Sequence, residues 1–205
     1  MNSSSDFVYE FVQGESERTL LLLHGTGGNE QDLISLGREL DPTASLLSPR
    51  GKVLENGMPR FFRRLAEGVF DIEDLKARTH ELADFVVAAS ERYNIYMKKL
   101  IAVGYSNGAN IAASVLLLRP EILPTAVLFR AMVPLRPEKQ PDLLSKRVFI
   151  GAGSFDPIVP GSETKALEDL LRSAGADVTI RFFHAGHELT QEDVDAARDW
   201  LRSKL

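Results

Sequence analysis

Five short apolar runs, Thr19 to Leu23, Ala44 to Leu47, Leu100 to Val103, Ala126 to Phe129 and Val148 to Ile150, show no alternation between apolar and polar residues. Strands of this kind are buried on both faces, and a sheet buried on both faces needs helices on either side. The stretches between the runs supply them. From Ile72 to Tyr93, residues Leu75, Thr79, Leu82, Val86, Ala89 and Tyr93 recur at helical spacing, which lays one stripe of a long helix on the sheet. Leu33, Leu36 and Leu40 predict a helix that Asn29 can cap and Pro42 ends, and Ile111, Val115 and Leu118 predict another that stops at Pro120. Leu167, Leu170, Leu171 and Ala174 predict a further helix closed by Gly175, and Val194, Ala197 and Leu201 a last one capped by Thr190. Phe7 to Val12 and Val178 to Phe183 carry polar or charged residues and belong nearer the sheet edges. The expected fold is α/β, a mostly parallel central sheet of about seven strands with right-handed crossovers and helices on both faces.

With 205 residues, 44% of them apolar, the chain suits one such domain, 1–205, and no linker or repeat divides it. A net charge of −5 with mixed signs offers no broad basic surface, so no nucleic-acid partner is expected. The absence of cysteine excludes disulfides, thiolate chemistry and Cys-based zinc sites, and fits a reducing compartment, with the cytoplasm as the expected location. Met1 to Asp6 are polar, and no apolar stretch reaches the roughly 18 residues of a membrane span, so neither secretion nor insertion is expected. One long piece, Ser48 to about Arg64, reads as irregular, punctuated by Pro49, Gly51, Gly57 and Pro59 and too short for a lid domain. A monomer and a homodimer both remain open.

The run Leu100 to Val103 leads straight into Gly104-Tyr105-Ser106-Asn107-Gly108 and then a helical pattern from Ala109 to Arg119. This strand, sharp turn and helix is the setting of a nucleophile elbow, in which glycines two residues either side of the serine let neighbouring backbone close in. The helix aims its positive end at Ser106. A serine hydroxyl needs a base to take its proton and an acid to orient that base. Asp156 lies in Gly153-Ser154-Phe155-Asp156-Pro157, beyond the run Val148 to Ile150, and His187 in Ala185-Gly186-His187-Glu188, beyond Val178 to Phe183. Both project from the carboxyl edge of the sheet, where catalytic groups gather in open α/β folds. His184 reads as the end of its strand, His80 as a surface residue, and Asp156 before proline would also serve as a turn-former. The chain order Ser106, Asp156, His187 is that of α/β-hydrolases.

An oxyanion hole needs two backbone N–H groups, expected from Asn107 and from Thr26 in the loop His24-Gly25-Thr26-Gly27-Gly28-Asn29. That loop lacks a Walker lysine and Gly-x-Gly-x-x-Gly spacing, so it is not read as a phosphate cradle. His24 reads as a brace for it.

These residues resemble the carboxylesterase/phospholipase branch of the α/β-hydrolases, which includes acyl-protein thioesterases and small bacterial carboxylesterases. The resemblance covers nearly the whole chain and rests on Leu23-His24-Gly25-Thr26-Gly27-Gly28, Gly104 to Ala109, Gly153 to Pro160 and Gly186-His187. Pro49-Arg50-Gly51 and Gly57 to Arg64 are similar to a compact bacterial subgroup, some of whose members are linked to quinone or metal stress. Acyl-protein thioesterases usually carry Phe before the nucleophile and Gln after it, whereas Tyr105 and Asn107 stand here, which points away from protein depalmitoylation. The resemblance implies the same triad and hole.

The expected activity is hydrolysis of small or medium acyl esters through an acyl-enzyme, with a small-molecule ester as partner and no metal or organic cofactor. Thioester or lysophospholipid cleavage would use the same residues, and a ligand-binding protein could keep the fold without the reaction. Met58, Phe61 and Phe62, with Leu189 opposite, are the expected substrate wall. Arg60, Arg63 and Arg64 read as ion-pair partners of Glu67, Asp71, Glu73 or Asp74, with binding of an acidic substrate group as the alternative.

Overall fold

Leu20 and Leu21 are neighbours in sequence, yet each is buried in a different core, one on either face of the same sheet. The computed structural model describes residues 7–204. Its elements run β1 (Tyr9–Val12), β2 (Thr19–Leu23), α1 (Ile34–Leu40), β3 (Ser45–Pro49), β4 (Val53–Glu55), β5 (Met58–Arg60), β6 (Arg64–Ala66) and β7 (Val69–Phe70). They continue with α2 (Ile72–Tyr93), β8 (Leu100–Tyr105), α3 (Asn107–Leu118), β9 (Thr125–Phe129), β10 (Arg147–Gly153), α4 (Gly161–Ser173), β11 (Asp177–Phe183) and α5 (Gln191–Lys204).

The main sheet has seven strands in the order β1-β3-β2-β8-β9-β10-β11. All neighbours pair in parallel except β1, which runs antiparallel to β3 at one edge. The order reverses between β2 and β8, so the loop after β2 and the turn after β8 lie side by side at the carboxyl edge, the usual ligand position in open α/β sheets.

Strand residues alternate between the two cores, which is why the runs are apolar throughout. Leu21, Leu23, Ala102, Leu128 and Ile150 pack with α2, α3 and α4, while Leu22, Val103, Val127 and Phe149 pack with α1 and α5. Helix α2 spans the predicted residues and buries the predicted stripe of Leu75, Thr79, Leu82, Val86 and Ala89. Asp71 caps it by accepting the Asp74 N–H at 3.1 Å, and Asn94 ends it in the left-handed region at φ 54. Thr79, the polar member of the stripe, is satisfied within the core by the Leu75 carbonyl and the Ser114 hydroxyl on α3, both at 2.7 Å.

Two expectations are corrected. Asn29 does not cap a helix, because its Oδ1 accepts the Gln31 N–H at 2.8 Å in a turn, and α1 begins only at Ile34 without a side-chain cap. The segment expected to be irregular instead forms the end of β3 and a small antiparallel hairpin, β4 with β5, and at Arg64 it opens a second, β6 with β7. Its strands are two or three residues long, too short to show a period in the sequence.

Candidate active site

Gly104 and Gly108 make the turn around Ser106 sterically feasible. A Cβ on Gly104 would stand 2.6 Å from Ala109 Cα, and one on Gly108 would stand 1.9 Å from the Leu23 carbonyl oxygen. Ser106 itself adopts φ 53 and ψ −114 at the start of α3, a strained conformation for a residue with a side chain. The strain is held by the Ser106 N–H bond to the Phe129 carbonyl and the Asn110 N–H bond to the Ser106 carbonyl, both 2.9 Å.

The loops after β10 and β11 converge on it. Gly153 and Gly186 touch so closely that a Cβ on Gly153 would stand 2.1 Å from the Gly186 carbonyl oxygen. Asp156, with its side chain 1% exposed, divides its oxygens: Oδ1 accepts the Ile158 and Val159 N–H groups at 2.8 and 2.9 Å, and Oδ2 lies 2.8 Å from His187 Nδ1. The turn-forming role and the partnership with histidine are therefore both present in one carboxylate. His187 Nε2 lies 2.9 Å from Ser106 Oγ. His184 sits exposed beyond β11 with its ring against Phe155, away from these contacts.

His187 is braced through three successive carbonyls. Tyr105 donates its hydroxyl to the His187 carbonyl at 2.9 Å, and Arg130 donates Nε to the Gly186 carbonyl at 3.0 Å and Nη2 to the Glu188 carbonyl at 2.6 Å. Burial raises the Tyr105 phenol above its ordinary pKa, so it stays a donor. Sequence reasoning did not find Arg130. Its signal was a charged residue immediately after the apolar strand β9, at the edge where the site forms.

Among the described residues, neither the Thr26 N–H nor the Asn107 N–H has a hydrogen-bond acceptor, and both residues line one cavity with Ser106 and His187. The segment expected to wall the substrate instead holds this pair in place. Pro59 accepts the Gly27 N–H at 2.9 Å, Arg60 Nη1 donates to Thr26 Oγ1 at 2.6 Å, and the Phe61 N–H donates to Asn107 Oδ1 at 2.7 Å. His24 braces the same loop: its Nδ1 lies 2.6 Å from the Gly25 carbonyl oxygen, and its Nε2 accepts the Gly51 N–H at 3.0 Å. That pair of contacts requires the tautomer with the proton on Nδ1.

Two members of the expected substrate wall are corrected accordingly. Phe61 and Phe62 are 2% and 0% exposed and belong to the core, because the hairpin turns both rings inward. Met58 packs over Gly27, and Leu189 lines a neighbouring depression beyond Tyr105. The cavity, about 370 Å³, takes its apolar wall from Phe70, Met132, Ile158 and Val159 and its polar wall from Thr26, Arg60, Arg64, Glu67 and Asn110. Arg63 pairs with Asp71 at 2.7 Å on the surface, as expected, whereas Arg64 pairs with Glu55 at 2.8 Å. Arg60 is buried, and burial with Arg64 nearby lowers its guanidinium below the ordinary value. Among the described residues there is no cluster of acidic, His or Cys side chains that could hold a metal ion, and no helix long and apolar enough to cross a membrane.

The sheet order, the elbow and the loops at the carboxyl edge define an α/β-hydrolase fold. A profile of the phospholipase/carboxylesterase family matches residues 9–205, and the chain belongs to that family. It is 51% identical over 198 residues to MhqD of Bacillus subtilis (strain 168), covering 97% of this chain and 98% of that one. Its structure is similar to that of the Bacillus cereus carboxylesterase, at 48% identity and a TM-score of 0.96 over 99% of this chain and 97% of that one. It is also similar to the structure of YahD with malic acid, at 35% identity and a TM-score of 0.91 over 98% and 99% of the two chains.

Proposed function

We propose that this protein cleaves carboxylic esters of small or medium acyl groups through an acyl-enzyme, with Ser106 as nucleophile, His187 as base and Asp156 as the acid that orients it. The observation that carries the reading is one imidazole with two contacts, Nδ1 to Asp156 at 2.8 Å and Nε2 to Ser106 Oγ at 2.9 Å. A neutral ring donating from Nδ1 to the carboxylate keeps its Nε2 lone pair for the serine proton. Ser106 Oγ then bonds to the ester carbonyl carbon, and the carbonyl oxygen takes up negative charge between the Thr26 and Asn107 N–H groups. Collapse expels the alcohol with the proton held by His187, leaving an acyl-serine. A water molecule repeats the sequence and releases the acid. Membership of the phospholipase/carboxylesterase family and likeness to a Bacillus cereus carboxylesterase support the reaction class. The chemistry calls for no metal or organic cofactor, and the reading takes residues 1–205 as one catalytic domain acting in the cytoplasm.

Ser106→Ala decides the matter. The purified variant should lose at least about 10³-fold in turnover of a short 4-nitrophenyl ester and all labelling by a fluorophosphonate probe, while its unfolding curve stays that of the parent. A parent protein whose serine ignores the probe would instead be a binding protein built on the same fold.

A further inference from the structure

The polar wall of the cavity is rich in free donors and poor in free acceptors. Asn110 Oδ1 accepts the Met132 N–H at 3.0 Å and Asn107 Oδ1 accepts the Phe61 N–H at 2.7 Å. Each contact fixes the orientation of its amide, since the flipped group would set N–H against N–H. Asn110 Nδ2 is then left without an acceptor among the described residues, and Asn107 Nδ2 is buried without one. Arg60, its side chain 4% exposed, donates Nη1 to Thr26 and Nε to the Phe62 carbonyl, while Nη2 has no acceptor among the described residues. All three residues line the cavity that holds Ser106.

Charge repeats the pattern. Glu55 lies 3.2 Å from Arg60 and 2.8 Å from Arg64, so two guanidiniums share one carboxylate. Glu67, the acidic residue of the cavity wall, is exposed, where water and salt screen it. Holding Thr26 alone would not need a cation, because a neutral amide can donate to a hydroxyl equally well. A buried guanidinium with an unused N–H pair and an amide with another, both on the wall of one cavity, suit an anion with two acceptor oxygens. Charge-assisted hydrogen bonds to a guanidinium are the strong ones.

We propose that the cavity selects esters carrying a second, free carboxylate, the half-esters of short dicarboxylic acids, with that carboxylate held by Arg60 Nη2 and Asn110 Nδ2. The inference rests on the esterase reading for its reaction and deepens it by naming the substrate class. The negative charge of an anion in this position would also offset the burial and the Arg64 repulsion that hold the Arg60 guanidinium below its ordinary value.

The test compares monomethyl glutarate with methyl pentanoate, which share a leaving group and differ by a charge, using pH-stat titration of the purified protein. The parent should favour the half-ester by about tenfold or more in kcat/KM, a ratio that falls with added salt. Asn110→Asp keeps the acceptor for Met132 and replaces the donor with a negative oxygen, and Arg60→Gln keeps a donor for Thr26 and removes the charge. Each should bring the ratio to about threefold or less. A parent ratio near one, or a ratio untouched by both substitutions, overturns the proposal. A second measurement separates this from the esterase reading. In Ser106→Ala, calorimetric binding of monomethyl glutarate should also be about tenfold tighter than in Ser106→Ala/Asn110→Asp. Equal binding overturns the subsite even if hydrolysis fails, and tighter binding without hydrolysis by the parent overturns the reaction and keeps the subsite.

Discussion

The guanidinium of Arg130 and the carboxylate of Asp193 have no solvent exposure, and they meet through two bonds, Nη1 to Oδ1 at 2.7 Å and Nη2 to Oδ2 at 2.9 Å. Asp193 also accepts the Thr190 N–H and hydroxyl, so the pair ties the start of α5 to the loop that carries His187. Removing one charge strands the other. Arg130→Met alone should cost about 3–5 kcal/mol in urea unfolding, whereas Arg130→Met/Asp193→Asn should recover most of it. The recovered double variant still lacks the donors to Gly186 and Glu188. Its kcat should fall about 10–100-fold through a loosened imidazole, with KM little changed, and an unaltered kcat would reduce the pair to a purely structural role.

Asp156→Asn keeps an oxygen for the Ile158 and Val159 N–H groups and sets an amide N–H₂ toward His187. The imidazole must then accept at Nδ1 and carry its proton on Nε2, where it can no longer take one from Ser106. We predict a loss of about 10³–10⁴-fold in kcat with thermal stability close to the parent's.

Gly108→Ala probes the elbow, because the added Cβ would fall 1.9 Å from the Leu23 carbonyl oxygen in the central sheet. Backbone atoms on both sides cannot retreat as a side chain can. A loss of at least about 2–3 kcal/mol in denaturant unfolding is expected, and a fully stable variant would show that the two segments are less closely packed.

His24 is 1% exposed, and burial lowers its pKa in the folded protein. The unfolded chain therefore binds the proton more readily, so stability rises with pH and is lost as pH falls below the ordinary imidazole range of about 6.5. Protonation of Nε2 also ends its acceptance of the Gly51 N–H. Urea unfolding at a series of pH values should show this acid loss in the parent and a smaller one in His24→Gln.

Phe62→Ala should cost about 3–5 kcal/mol in stability while leaving the order of preference among acyl chain lengths unchanged, since the ring is core. Met132→Ala should extend that preference toward longer chains, because Met132 belongs to the cavity wall. The same panel of esters reads both variants, and a changed preference in Phe62→Ala would return the ring to the substrate wall.

The parts legible in the sequence share one property: their signal is local. Leu20 to Leu23 declare a strand buried on both faces, the stripe through Leu75, Leu82 and Val86 declares α2, and Gly104 with Gly108 declares a turn that only glycines permit. Ser106, Asp156 and His187 were legible because each follows a strand at its carboxyl end, so strand direction alone sets them on one edge.

Phe61, Phe62, Arg60 and Arg130 were not legible, because their places depend on surfaces supplied by residues distant in the chain. Phe61 reads as a loop aromatic until the hairpin lays its N–H on Asn107, and nothing gives Arg130 a role until Asp193, 63 positions away, meets it. By itself the sequence determined the strands of the main sheet and the five helices, the mostly parallel run of those strands and which three side chains share an edge. Only the tertiary structure decided which rings are core, which donors are left free in the cavity and what holds His187 in place. Backbone periodicity is a property of neighbouring residues, whereas the burial and pairing of a side chain are set by whatever the finished packing brings against it.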